Sequence, residues 1–168
     1  MTMTLVSTVT VGAGGAAALE FTSIPQTATD LFLVASFRMT DSGGYFGIQL
    51  NLVGSGATDR KRLRGSGSTV ASASIASFMT NAAAQTSNTF ASHQFYIPNY
   101  AGSAAKSVSV DSVTENNATE SYQDLLALTY GTSAVTGLSI NLSGGTLAQY
   151  STASLYTITK GSGGATVS

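Results

Sequence analysis

Residues 93 to 124 read HQFYIPNYAGSAAKSVSVDSVTENNATESYQD. The first five alternate with period two, so His93, Phe95 and Ile97 share one face of a strand and Gln94 and Tyr96 the other. Pro98 ends that strand because it has no N–H to give to a ladder, and Asn99 to Ser103 supply turn chemistry. A second alternating run starts at Lys106, with Val108 and Val110 on one face. Glu115 to Asp124 reads as a loop. A strand, a proline corner and a second strand make a hairpin or a sheet-to-sheet crossing, and either reading predicts an all-β protein.

The same period recurs outward in both directions. Leu5 to Val11 is a strand rich in β-branched residues, closed by Gly12, Gly14 and Gly15. Those glycines brush against a dinucleotide fingerprint, but Leu19 to Phe21 leads straight to Pro25, with no helix to complete that motif. Leu31 to Met39, LFLVASFRM, is nearly continuous apolar sequence and predicts a strand buried on both faces. Asp41 to Gly44 reads as a turn and Tyr45 to Val53 as the return strand of an antiparallel hairpin, with Phe46, Ile48, Leu50 and Leu52 on one face.

Residues 54 to 68, GSGATDRKRLRGSGS, predict a glycine-flanked basic loop. Val70 to Gln85 is ambiguous: Ile75, Phe78 and Met79 have helical spacing and Ala82 to Ala84 favour a helix, while the serines, threonines and flanking strands tip it to strand and loop. Leu125 to Tyr130, Val135 to Leu142 and Ala153 to Thr159 complete nine or ten strands at intervals of roughly 10 to 15 residues. This pattern predicts a single jelly-roll-like antiparallel β-sandwich over residues 1–160, with 161–168 a flexible tail.

Composition narrows the function. Of 168 residues 43% are hydrophobic but only 9% charged, with a net charge of −1, against a usual charged share of about a quarter. A surface of hydroxyls and small side chains at near-zero net charge is poorly soluble unless covered, which suggests a module that meets other protein over much of its area. The absence of cysteine excludes a disulfide framework and thiolate chemistry. The amino terminus lacks a basic n-region and a long apolar h-region, so neither a secretory signal nor a membrane span is expected.

Chemistry-bearing residues are few. His93 is the one histidine, and on an apolar strand face it reads as a satisfied core or interface residue; no G-x-S-x-G offers it a nucleophile. Asp111, Glu115, Glu120 and Asp124 form the acidic concentration, without the spacing of an EF-hand. Arg60, Lys61, Arg62 and Arg64 hold four of the seven basic residues. Phosphate binding would use such a cluster, but the chain is net acidic and no aromatic interleaves it, which favours a solvated or ion-pairing segment. Glu115, Glu120, Asp124, Arg60, Arg62 and Arg64 are therefore candidate subunit contacts. No catalytic residue, metal ligand, cofactor, nucleic acid or membrane partner is expected. Tyr96, Tyr100, Tyr122, Tyr130, Tyr150 and Tyr156 could serve packing, a subunit contact or a glycan-facing surface.

Several segments taken in order, Leu19-Glu-Phe-Thr-Ser-Ile-Pro25, Asp30-Leu-Phe-Leu-Val34, Tyr96-Ile-Pro-Asn-Tyr100, Lys106, Asp111-Ser-Val-Thr-Glu-Asn-Asn117, Tyr122-Gln123 and Ser151-Thr-Ala-Ser-Leu-Tyr156, resemble a family of small tailed-bacteriophage virion structural proteins. The resemblance implies a jelly-roll-like module on a phage particle, as a head (capsid) decoration protein or a module of a tail fibre or spike. It carries over no catalytic residue. The chain departs from the pattern at Tyr156-Thr-Ile158 and in the Ala/Ser segment after Val70. The expectation is a homotrimer assembled in the host cytoplasm onto the virion, with other virion proteins as partners; a fibre or spike module binding a host-surface glycan is the alternative.

Overall fold

Alternation in sequence becomes alternation in burial. In β8 (Ala91–Ile97), β9 (Lys106–Val113) and β10 (Gln123–Tyr130) every second side chain is buried, and the three strands lie side by side as an antiparallel meander. The computed structural model describes residues 1–41, 46–117 and 121–161. The other strands are β1 (Thr2–Thr10), β2 (Ala18–Phe21), β3 (Asp30–Phe37), β4 (Phe46–Leu52), β5 (Ala57–Gly65), β6 (Val70–Ala73), β7 (Phe78–Thr80), β11 (Leu138–Leu142) and β12 (Thr152–Thr159), and no helix occurs among the described residues. Residues 42–44 of the expected turn and 162–168 of the expected tail lie outside the described residues.

The strands form two antiparallel sheets packed as a sandwich in one domain. The large sheet runs β1-β12-β3-β8-β9-β10-β5-β6 and the small one β2-β11-β4-β7. The ladders β1–β12, β2–β11, β3–β8 and β4–β7 pair the first four strands with four later ones in reverse order. The chain thus crosses between sheets at each step from β1 to β4, then returns alongside itself. The two intervening hairpins, β5–β6 and β9–β10, add four strands to one edge of the large sheet.

The expected hairpin of Leu31–Met39 with Tyr45–Val53 is corrected by this order. β3 and β4 are consecutive but lie in different sheets, because each has an apolar face and the two faces bury against each other across the sandwich. Leu31, Leu33 and Phe37 look inward from β3, and Ile48, Leu50 and Leu52 from β4. Nor is β3 buried on both faces: Phe32 and Val34 on the other side are half-buried. Between the sheets Phe78 meets Phe95 with ring centroids 5.3 Å apart and His93 at 5.1 Å. Burial of this core supplies the main folding drive.

Three further expectations change. Residues 57–65 are not a loop but strand β5, paired along its length with β10. Gln123 and Asp124 belong to β10 and not to the acidic loop. The strand ahead of Leu142 starts at Leu138, not Val135. The ambiguous Val70–Gln85 segment does resolve into strand and loop, as β6 and β7.

Candidate interaction surface

The overhang of the large sheet explains the basic cluster. On a strand, Arg60, Arg62 and Arg64 share one face, and their β10 partners Leu128, Leu126 and Asp124 show that it is the inward one. Beneath it lies β7, the edge strand of the small sheet. Arg64 donates from Nε and Nη2 to the two carboxylate oxygens of Asp124, both at 2.6 Å. Asp124 Oδ2 also accepts the Met79 N–H at 2.8 Å, Ser112 Oγ donates to Met79 O at 3.0 Å, and Arg62 Nη1 donates to Ser77 O at 3.1 Å. Side chains of the overhanging strands thus satisfy backbone groups along an edge that would otherwise be open to pairing. Asp124 is 1% exposed, so its carboxylate is engaged inside the chain.

The other candidate contacts separate from this network. Arg60 is exposed. Glu115 keeps its carboxylate local, Oε2 accepting the Asn117 N–H at 2.8 Å, while its backbone is clamped by the Asn81 amide at 2.7 and 3.1 Å. Glu120 lies outside the described residues. Asp111 is exposed on β9. Asp111, Glu115 and Asp124 therefore do not converge, and no group of three or more His, Cys, Asp or Glu among the described residues could hold a metal ion.

His93 sits in the core. One ring nitrogen, Nδ1, is 2.8 Å from Ser112 Oγ and the other, Nε2, is 3.2 Å from Thr80 Oγ1. Because Ser112 passes its own proton to Met79 O, the neutral ring donates Nδ1–H to Ser112, while the single Thr80 hydroxyl proton is shared between Nε2 and Phe37 O at 3.1 Å. Burial lowers its pKa to about 3, so it is uncharged at neutral pH.

Two buried anchors had no warning in the sequence. Lys106, fully buried at the start of β9, donates from Nζ to the carbonyls of Gly102, Ala104 and Thr132 and so fastens the turn after β8. Asp30, also buried, accepts from the Tyr96 hydroxyl at 2.6 Å, the Asn99 N–H at 3.0 Å and Lys160 Nζ at 2.9 Å. Burial by itself would raise its pKa, but the bonds from Tyr96, Lys160 and Asn99 together hold it below the usual value. Tyr100 and Tyr130 are buried, with hydroxyls on Pro25 O and Leu50 O, so they cannot face a ligand. Tyr122 lies beneath the Arg64 guanidinium.

What remains open is the outer face of the large sheet. Tyr156, Phe32 and Tyr96 stand directly opposite one another on β12, β3 and β8, a half-buried aromatic row across three strands. The next row runs Val34, Gln94, Asp111, Leu125, Leu63. A groove of about 290 Å³ lies among Phe32, Tyr96, Gln94 and Asp111, and a larger one of about 590 Å³ follows toward Leu63 and Ser72, Leu125 bordering both. Leu125 and Leu63 are exposed, as is Val70 at the far edge. At the other edge β1 is nine residues long, uncharged and exposed over most of its length. Comparison with protein-family models, with curated proteins and with solved structures gives no match.

Proposed function

We propose that this chain is a non-enzymatic structural protein of a bacteriophage particle, a decoration protein on the capsid surface. The observation that carries the reading is the strand order. The pairing of β1–β4 with β12, β11, β8 and β7 in two facing sheets is the order produced by rolling up one long antiparallel hairpin. We read it as a jelly roll enlarged by the β5–β6 and β9–β10 hairpins, an architecture used by viral coat and lectin domains. Fold alone does not define function; the sequence resemblance and the sparsely charged surface add to the argument.

Exposed Val70 at the β6 edge and the uncharged β1 edge suit burial against other protein. On this reading the chain acts as a homotrimer, and the partner is the major capsid protein. Counting copies of the chain in purified particles by quantitative mass spectrometry tests the proposal. Hundreds per particle are expected; a few to a few tens would move it to a fibre or spike, and none would remove it from the virion. Light scattering that shows a stable monomer at micromolar concentration would refute the trimer.

A further inference from the structure

We infer that the groove between Tyr96 and Asp111 on the outer sheet face is a binding site for a neutral sugar ring. A pyranose offers a flat face of C–H groups and a rim of hydroxyls, and its recognition needs an apolar plate beside unoccupied hydrogen-bonding heads. Both are in place. Phe32 and Tyr96 provide the plate from adjacent strands in register. Tyr96 is held there through its hydroxyl by Asp30, itself fixed by Asn99 and Lys160, so the ring is positioned before any ligand arrives.

The heads are Gln94 and Asp111, which face each other across the β8–β9 ladder one row away. Both are exposed, and neither amide nor carboxylate has a partner among the described residues. A carboxylate accepts two sugar hydroxyls and an amide both gives and takes, so together they match a diol edge. Ser109 adds a hydroxyl to the rim and Leu125 closes the far side. The volume of about 290 Å³ is at the lower end of small-molecule sites, about 300 Å³, and the larger groove beyond Leu125 gives an attached second ring somewhere to go.

Other occupants fit less well. An apolar side chain from a second copy or another protein would strip water from Asp111 and Gln94 without replacing their hydrogen bonds. A cationic group would match Asp111 and the rings, but the Lys160 ammonium already stands at the Tyr96 end, on Asp30. A metal ion would find a single carboxylate. The site goes beyond a structural role and is a property of the isolated chain, whether it sits on a shell or a fibre.

The test is a titration of isotope-labelled protein, followed by amide chemical shifts, with maltose, cellobiose, lactose and chitobiose, and with choline as the cationic counter-probe. Saturable shifts centred on Phe32, Gln94, Tyr96 and Asp111 are expected with at least one disaccharide. Asp111→Ala and Gln94→Ala, which break no hydrogen bond or ion pair among the described residues, should each weaken binding about tenfold, the scale of one lost charge-assisted or bidentate hydrogen bond. No saturable shift with any of the four sugars overturns the inference, as does sugar binding that both variants leave unchanged. Tighter binding of choline, or groove shifts that depend on protein concentration without sugar, would give the site to a cation or to a second copy. Because the readout uses free protein, its failure is distinct from a failed count of copies per particle.

Discussion

Arg64 and Asp124 stand directly opposite each other on β5 and β10 and meet in a two-point fork, each N···O distance 2.6 Å. The pair ties the overhanging hairpin to the edge of the small sheet, since the same carboxylate takes the Met79 N–H.

Removal of one partner leaves the other charge stranded. Asp124→Ala is therefore expected to cost about 3–5 kcal/mol in urea unfolding, more than the change Arg60→Ala at an exposed position of β5. A double change, Arg64→Met with Asp124→Leu, should recover part of that loss. A cost below about 1 kcal/mol for Asp124→Ala, the range of an exposed pair, would show that the edge is held some other way.

His93 sets the response to mild acid. Its pKa is lowered in the fold from 6.5 to about 3, so between those values the unfolded chain binds more protons and stability falls as the pH is lowered. The contribution is complete above about 6.5 and declines by up to about 1.4 kcal/mol per pH unit on the way down. His93→Gln should be less stable at neutral pH yet give a flatter profile from pH 6.5 to 4, read as urea midpoints. Parallel profiles for the two proteins would contradict the assignment.

Asp30 acts in a lower window. Its folded pKa lies below the ordinary 3.8, so its contribution is complete above that value and disappears as pH falls through the lower folded one. Asp30→Asn is expected to lose about 1–3 kcal/mol at neutral pH, the scale of disrupted buried hydrogen bonds. It should also free the Tyr96 ring, seen as faster ring flipping by NMR. An unchanged Tyr96 spectrum would show that the ring is held by packing alone.

Lys106 offers a stability test outside the proposed sugar groove. Lys106→Met keeps the length and apolar stem but strips three carbonyls of their donor. A loss of about 2–4 kcal/mol is expected, with hydrogen exchange accelerated in residues 98–105. Exchange unchanged there would mean that the turn does not depend on the ammonium.

Strand existence was legible wherever one face is buried. His93 to Ile97 and Val108 to Val110 show their period because inward positions must be apolar and outward ones need not be. β5 does not show that period, because its inward face carries Arg60, Arg62 and Arg64 instead of leucines. That exchange is possible only because the overhang faces a sheet edge with backbone groups to satisfy. The acidic residues lie close together along the chain, but Asp111, Glu115 and Asp124 belong to β9, the following loop and β10, and point to different surroundings.

By itself the sequence determined an all-β antiparallel sandwich, the framework role of His93 and the corner at Pro98, all from period two and from backbone chemistry local to each residue. Tertiary structure decided the rest. Which strands pair depends on contacts far apart along the chain, so β3 and β4, which read as a hairpin, went to opposite sheets to bury two apolar faces against each other. The same long-range register set Arg64 over Asp124, and it placed Gln94 and Asp111 beside the aromatic row, where no local pattern could reveal that they share a groove.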